Sequence, residues 1–224
     1  MKKLTKNNIN LYQHEEELED LGLNYIAGVD EVGRGPLAGP VVVAAVIMPI
    51  DLRIKGINDS KKLSEKKRNE LYKIILREAL AVSVSFIDEK IVDEINIYEA
   101  TKKGMLEAIS KLKIKPEHVL IDAMPLNELD IPHTSIIHGD ALSASIGAAS
   151  IVAKVTRDSY MDKMDFKYPN YGFKHHKGYC TKEHLDALEK FGPCEIHRKS
   201  FSPVAKYYTK QLKLDLFDEN SGEK

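Results

Sequence analysis

The chain has 224 residues, of which 43% are hydrophobic and 30% charged, and its formal net charge is −1. The length and the hydrophobic fraction are enough for the core of one domain, and the balanced charge excludes a uniformly basic nucleic-acid-binding protein. The two cysteines and the lack of a long unbroken apolar run exclude a disulfide scaffold and a membrane-spanning protein, so we expect a cytoplasmic location without membrane contact.

The first half of the chain predicts a helix, a strand pair, a second helix and a third strand. Residues 1 to 24 are typical of an amphipathic helix ended by Gly22, and we assign no chemistry to its acidic run over residues 15 to 20. Residues 25 to 31 and 41 to 48 predict two strands joined by a Gly/Pro-rich connection. Ser64 is a typical N-cap for a helix to about residue 79, and residues 81 to 87 alternate like a strand.

The second half predicts three helices and two strands. From Ile97, apolar residues recur at helical spacing and predict one stripe of the core, formed by Ala100, Gly104, Met105, Ala108, Ile109 and Leu112. Residues 119 to 122 and about 135 to 138 predict strands, and further helices are expected from Ser143 and Thr181. Strands and helices therefore interleave, which predicts an α/β fold.

Four acidic residues stand at the ends of these apolar elements. Asp30 and Glu31 end the first strand, Asp122 ends the fourth, and Asp140 precedes the helix near Ser143. A carboxylate withdrawn from water needs a cation, and clustered carboxylates are typical ligands of hard divalent ions. The pattern predicts a metal site, although Asp122 and Asp140 taken singly are equally typical of turn and N-cap residues.

Positive charge is concentrated in two segments. Residues 55 to 77 hold eight Lys/Arg against three Asp/Glu, and residues 151 to 210 hold twelve against seven. These segments can form a phosphate-binding rim, or they can be ordinary solvated helix faces. Ser60, Lys61 and Lys62 precede a helix and are candidates for binding backbone phosphates.

Six blocks of sequence closely resemble the type 2 ribonuclease H (ribonuclease HII) family in chain order. The blocks are residues 28–40, 59–63, 121–122 with 139–140, 145–158, 176–179 and 197–201. The resemblance spans residues 25 to 205 and implies a ribonuclease H-like α/β fold, a mixed sheet flanked by helices, with helical C-terminal elements. It leaves residues 1–24 as an N-terminal helical extension, 25–205 as the catalytic domain and 206–224 as a C-terminal tail.

The same resemblance implies the activity and the site. Asp30, Glu31, Asp122 and Asp140 match the family's metal-site acids, with Mn²⁺ or Mg²⁺ as cofactor. Gly33, Arg34 and Gly35 match the main-chain reader of the ribose 2′-OH, and Tyr179 matches the tyrosine whose ring lies against a sugar at an RNA–DNA junction.

The implied enzyme is a metal-dependent endonuclease; the sequence leaves its oligomeric state open, and we expect a monomer. It cuts the RNA strand of RNA–DNA hybrids and nicks 5′ to ribonucleotides embedded in duplex DNA, leaving 3′-hydroxyl and 5′-phosphate ends. One departure from the family pattern is Ala123, which follows Asp122 where many relatives have glycine. Gln211 and Phe217 are the only hint of a clamp-binding peptide near the C-terminus.

One geometric difficulty accompanies the metal site. Consecutive residues of a regular strand point to opposite faces, so Asp30 and Glu31 cannot both reach one ion from it. We therefore predict a bend or bulge over residues 31 to 33. Asp158 lies too far along the helix from Ser143 to be a fifth ligand and is expected to pair with Arg157 or Lys154.

Other functions fit less well. A hybrid-binding protein without catalysis has no need of four repelling acids, and a DNA strand transferase of the same fold lacks a 2′-OH reader. The glycines at 33 and 35 lead into a strand, not into the helix that a dinucleotide fingerprint requires. A zinc site would use Cys180, His184, Cys194 and His197 as its ligands. The spacing of these four residues matches no common zinc finger, and His184 is expected on a helix surface, so a zinc site is disfavoured.

Overall fold

The computed structural model describes residues 10–57 and 63–209. Its helices are α1 (Gln13–Glu19), α2 (Glu65–Glu78), α3 (Glu89–Ser110), α4 (Ala144–Lys167), α5 (Phe173–His176) and α6 (Lys182–Phe191). Its strands are β1 (Ile26–Val32), β2 (Val41–Ile47), β3 (Ala81–Ile87), β4 (His118–Asp122) and β5 (His133–Ile136). A short 3-10 helix spans Gly139–Ala141, and residues 202–209 are helical.

The five strands form one mixed sheet in the order β3-β2-β1-β4-β5. Strand β1 pairs antiparallel with β2 and parallel with β4, and β4 pairs parallel with β5. Helices flank this sheet, and the predicted fold class is confirmed. Because β1 and β4 are parallel neighbours, their carboxyl ends lie side by side, which is where α/β sheets commonly place functional groups.

The chain divides into two compact units, each with its own core. The first comprises Met1–Val32, Val42–Ser85 and Lys102–Val155, and the second comprises Gly33–Val41, Phe86–Thr101 and Thr156–Lys224. In the first unit, α2 buries Leu71 and Ile75 in the same cluster as Val42 and Val46 of β2. In the second unit, one hydrophobic cluster contains Phe173 and another contains Leu188. The predicted division of the chain into residues 1–24, 25–205 and 206–224 stays a prediction.

Most predicted elements agree with the structure to within two residues. Ser64 caps α2 by accepting a hydrogen bond from the backbone N–H of Lys67, and Thr181 caps α6 in the same way with the N–H of His184. All six residues of the predicted stripe are buried, including Ala100 and Met105.

Helix α3 begins earlier than the periodicity indicated. It starts at Glu89 and is broken at Asn96, whose backbone is left-handed with φ 67°. The Asn96 side chain accepts hydrogen bonds from the N–H groups of Tyr98 and Glu99, so it caps the second half of the helix. The predicted start at Ile97 was therefore the second of two helical segments. No helix among the described residues has the length and apolar content needed to cross a bilayer.

Candidate active site

Two of the predicted acids lie at adjacent strand ends. The register pairs Val29 of β1 with Ile121 of β4, so Asp30 and Asp122 are the next residues on neighbouring parallel strands. In this register they share one face of the sheet. Asp30 is 4% exposed, whereas Asp122 is partly exposed. The parallel pairing thus places one fully buried carboxylate and one accessible carboxylate side by side.

The environment of Asp30 opposes its ionisation. Burial raises the pKa of Asp30 well above its usual range, and the negative charges of Glu31 and Asp122 raise it further. Two hydrogen bonds act in the opposite direction: one from the Ser150 hydroxyl of α4, and one from the backbone N–H of Glu31, 2.7 Å from Oδ1. The three carboxylates therefore repel one another, and Asp30 is the one that is also buried.

Glu31 lies in regular strand geometry. The pairing of β1 with β2 continues without interruption through Glu31 to Val32, so within the range 31 to 33, where a bend or bulge was predicted, there is no bulge at Glu31 or Val32. The backbone turns only at Gly33, where φ is +97°. A side chain there would also clash, because a Cβ would lie 2.3 Å from Nε of Arg157. Glu31 contributes negative charge to Asp30 from a partly exposed position on the strand.

Asp140 is placed by the 3-10 helix that follows β5. It is 6% exposed, and its neighbour Gly139 donates its N–H to Oδ1 of Asp122 at 2.7 Å. This bond ties the segment carrying Asp140 to the end of β4. Only one oxygen of Asp122 takes part in this bond, so the other stays available for other contacts.

These four acids suit a hard divalent ion in their chemistry. All their donors are carboxylate oxygens, the ligand type that Mg²⁺ and Mn²⁺ prefer, and a cation among them would relieve the repulsion at Asp30. Within residues 10–57 and 63–209, no three acidic, histidine or cysteine side chains already converge closely enough to enclose an ion.

The second unit contains the predicted 2′-OH reader, and buried arginines hold its backbone. Arg198 is 0% exposed and donates to the carbonyls of Gly33 (2.6 Å), Arg34 (2.9 Å) and Gly39 (2.7 and 3.1 Å). Arg157, also 0% exposed, donates to the carbonyls of Pro40 and Ala38, each at 3.0 Å. Burial lowers the pKa of Arg198 to about 9 and that of Arg157 to about 10, so both are charged at neutral pH.

The loop carbonyls are thus turned toward the two guanidiniums, while Arg34 and Gly35 are exposed. The structure brings Gly35 next to Tyr179: a Cβ on Gly35 would lie 3.7 Å from Cε1 of that ring, and no other atom would lie closer. The Tyr179 ring is itself 41% exposed. Two residues predicted from separate sequence blocks to act on one sugar therefore lie side by side.

A pair of buried histidines holds the backbone of Tyr179. His184 Nδ1 lies 2.9 Å from the Tyr179 carbonyl and must donate to it, so its Nε2 accepts from Nε2–H of His197 at 3.0 Å. His197 Nδ1 in turn accepts from the N–H of Cys194 at 2.9 Å. His184 is 0% exposed, so its predicted surface position was wrong. Burial lowers the pKa of His184 and of His197 to about 4; the charge of His176 lowers the pKa of His184 further, and the charge of His184 does the same to His197.

Several predicted residues cannot be placed, and several important ones were not predicted. Ser60 and Lys61 lie outside the described residues, as do Lys62, Gln211 and Phe217. Ser150, Arg157 and Arg198 lie within the blocks that carried the resemblance, but no role was predicted for Ser150 or Arg198, and for Arg157 only a pairing with Asp158. An arginine inside a run of small and apolar helical residues, as at Arg157, was the available signal of a buried cation.

Comparison with known proteins gives matches to one family. A family model described as Ribonuclease HII matches residues 27–204. Proteins named Ribonuclease HII from Bacillus mycoides and Bacillus anthracis are 57% identical over 196 residues, which is 88% of this chain and 76% of each relative.

Solved structures give the same result. Ribonuclease H2 from Pyrococcus horikoshii has a TM-score of 0.71 at 25% identity, covering 84% of this chain and 99% of that one. The Archaeoglobus fulgidus RNase HII, solved in a complex with PCNA, has a TM-score of 0.66 at 26% identity, covering 80% and 95%. Bst-RNase HIII in complex with Mn²⁺ has a TM-score of 0.63 at 17% identity, covering 93% and 76%, a likeness that shows the fold alone.

Proposed function

Because this chain belongs to the ribonuclease HII family and is therefore a ribonuclease H, an endonuclease that hydrolyses nucleic acid, we propose two substrates for it. It cuts the RNA strand of RNA–DNA hybrids, and it nicks duplex DNA on the 5′ side of an embedded ribonucleotide. The products carry 3′-hydroxyl and 5′-phosphate ends. The strand-end carboxylates perform the chemistry, and the residues beside Tyr179 select the ribonucleotide.

The observation that carries this proposal is the environment of Asp30. A carboxylate that is 4% exposed and raised in pKa by two neighbouring carboxylates is destabilising in a protein without a cation. Perturbed acids at the carboxyl ends of adjacent strands are typical of functional sites. A binding protein without catalysis gains nothing from this cost, which favours a catalytic metal site.

Asp30, Glu31, Asp122 and Asp140 would hold the divalent ions, either Mn²⁺ or Mg²⁺. When bound, two such ions lower the pKa of an attacking water and neutralise charge on the scissile phosphate and the leaving oxygen. The chain's own residues set the geometry. Ser150 and the Glu31 N–H orient the Asp30 carboxylate, and the Gly139 N–H orients Asp122 so that its other oxygen faces away from this bond.

The ribonucleotide is read by Gly33, Arg34, Gly35 and Tyr179. Arg198 accounts for the carbonyls of residues 33, 34 and 39, which leaves the exposed backbone of Arg34 and Gly35 on the outer side of the loop. Tyr179 places an exposed ring against Gly35, and an aromatic face can pack on a sugar only where no larger side chain intervenes. Ser60 and Lys61 are proposed to bind backbone phosphates.

The setting of the enzyme is also proposed. Both cysteines are free, which suits the reducing cytoplasm, and we propose that the enzyme acts there as a monomer. We place the catalytic function in residues 25–205. The Archaeoglobus fulgidus relative was solved with PCNA, but Gln211 and Phe217 lie outside the described residues, so clamp binding by this chain stays an untested prediction.

The test is cleavage of three end-labelled duplexes: an RNA–DNA hybrid, a DNA duplex with one ribonucleotide, and all-DNA. Each is incubated with Mn²⁺, Mg²⁺ or EDTA, and the cut is mapped on a sequencing gel. We expect a metal-dependent nick on the 5′ side of the ribonucleotide and no cut in all-DNA.

Two variants sharpen the result. Asp122→Asn should bind the ribonucleotide duplex without cutting it, and Tyr179→Ala should lose more activity on the single ribonucleotide than on the hybrid. Metal-independent cleavage would contradict the carboxylate site. Binding without cleavage by the wild type would favour a binding protein, and cutting of all-DNA would favour a strand transferase.

A further inference from the structure

Glu15 of helix α1 is a buried carboxylate outside the family model. The family model begins its match at residue 27, and no chemistry was assigned to the acidic run of α1 from the sequence. Glu15 is nevertheless 4% exposed, whereas Glu17 and Glu19 on the same helix are exposed. A buried carboxylate destabilises a protein unless its contacts compensate, so the contacts of Glu15 indicate what it does.

Those contacts close the N-terminus of α4. Oε1 of Glu15 accepts the hydroxyl of Ser143 at 2.6 Å and the N–H of Ser145 at 2.8 Å. The carbonyl of Leu11, just before α1, accepts the N–H of Ala144 at 2.8 Å. Residues 11 to 15 thus satisfy N–H groups that the first turn of α4 leaves unpaired, and a negative charge there favours the helix dipole.

Helix α4 in turn contacts two parts of the carboxylate site. Its start packs directly on β1, because a Cβ on Gly28 would lie 2.0 Å from the backbone carbon of Ser145. Two turns further on, Ser150 donates its hydroxyl to Asp30. On the other side, the N–H of Ser143 bonds to the carbonyl of Gly139, next to Asp140. A shift of α4 along its axis would therefore displace both the partner of Asp30 and the segment of Asp140.

Only one of the two carboxylate oxygens of Glu15, Oε1, accepts these hydrogen bonds. Oε2 is the one buried side-chain oxygen or nitrogen in the described part of the chain that has no hydrogen-bond partner. Glu15 also borders a cavity of about 20 Å³, together with Tyr12, Ile26 and Ser145. An amide group has nearly the shape of a carboxylate, so glutamine can keep the Oε1 contacts while its NH₂ takes the place of Oε2.

We propose that Glu15 is a positioning residue for the carboxylate site: it caps α4 and so sets where Ser150 and Asp140 stand relative to Asp30. This inference rests on the proposed metal-dependent function. It makes the N-terminal extension part of the catalytic framework. The role requires the reach of the side chain rather than its charge, because the side chain spans from α1 to the first turn of α4.

The experiment compares Glu15→Gln, Glu15→Asp and Glu15→Ala in the full chain, with Glu19→Ala as the control from the same helix. Binding of Mn²⁺ alone is measured by calorimetry, and kcat and KM are measured on an RNA–DNA hybrid. Glu15→Asp keeps the charge but withdraws it by one methylene, so it should behave like Glu15→Ala. Both should weaken Mn²⁺ binding about tenfold and lower kcat with KM unchanged. Glu15→Gln and the control should match the wild type.

The outcomes separate the two proposals. If the wild type neither binds Mn²⁺ nor cuts the hybrid, the proposed function fails. If the wild type does both and every Glu15 variant matches Glu19→Ala, only the positioning role is overturned. Circular dichroism and urea unfolding identify a variant that has lost its fold; should Glu15→Ala do so, the Asp and Gln variants decide. Impairment of Glu15→Gln equal to that of Glu15→Asp would show that charge, not reach, matters, and would overturn the inference.

Discussion

Replacing Arg198 with lysine tests whether buried hydrogen bonds hold the ribonucleotide reader. Arg198 donates four hydrogen bonds to three carbonyls from nitrogens spread across its planar fork. Lysine offers three donors from a single atom and cannot reach all three carbonyls. We expect it to satisfy one and to leave the other two without a donor.

The expected cost follows from those two carbonyls. A buried polar group left unsatisfied costs about 1–3 kcal/mol, so a rigid loop would lose about 2–6 kcal/mol. Arg34 and Gly35 are already exposed, so the loop can open and turn its carbonyls toward water. The loss of global stability should then lie near the lower limit, about 2 kcal/mol. If the same amount is lost from binding of the transition state, cleavage at a single ribonucleotide falls about thirtyfold.

The assay combines urea unfolding with kcat/KM on a duplex that contains one ribonucleotide. Arg77→Lys is the matched control, because the Arg77 side chain is 72% exposed on α2 and forms an ion pair with the adjacent Glu78. Arg198→Lys should be destabilised and slow, while Arg77→Lys should match the wild type. An Arg198→Lys enzyme with wild-type stability and wild-type cleavage would refute the idea that this guanidinium shapes the reader.

Three further perturbations follow from the same structure. Asp30→Asn should abolish turnover yet raise the urea midpoint of the metal-free protein at pH 7.5. The reason is that it removes a buried carboxylate whose pKa is raised, and a lower midpoint would contradict that reasoning. Ala123→Gly should stabilise the protein by about 0.5–1 kcal/mol in urea unfolding, since Ala123 has φ +50° and glycine adopts this conformation without strain; destabilisation would count against it. His184 and His197 have folded pKa values of about 4 against 6.5 unfolded, so the unfolded chain takes up protons first and stability should fall between pH 6.5 and 4. The expected slope is about 1.4 kcal/mol per pH unit for each histidine, and a flat urea midpoint over that range would exclude this linkage.

Much of this protein can be predicted from local patterns in its sequence. Alternation located β3, the caps Ser64 and Thr181 located α2 and α6, and the apolar stripe located the second half of α3. Asp30 and Asp122 were recognisable because a carboxylate at the end of a buried strand conflicts with its surroundings. Each of these signals lies within a few residues of the feature that it predicts, so no knowledge of the folded chain was needed.

Other features depend on residues that are distant in sequence and meet only on folding. Of the bend or bulge predicted over residues 31 to 33, only a turn at Gly33 occurs, because pairing with β2 keeps the strand regular up to Val32. His184 was assigned to a surface, although contacts with residues 179 and 197 bury it. Glu15 and Arg198 look like ordinary surface charges in sequence, yet one caps a helix 128 residues away and the other holds a loop about 160 residues away. The burial of a charge depends on which backbone groups surround it, and only the tertiary structure decides that.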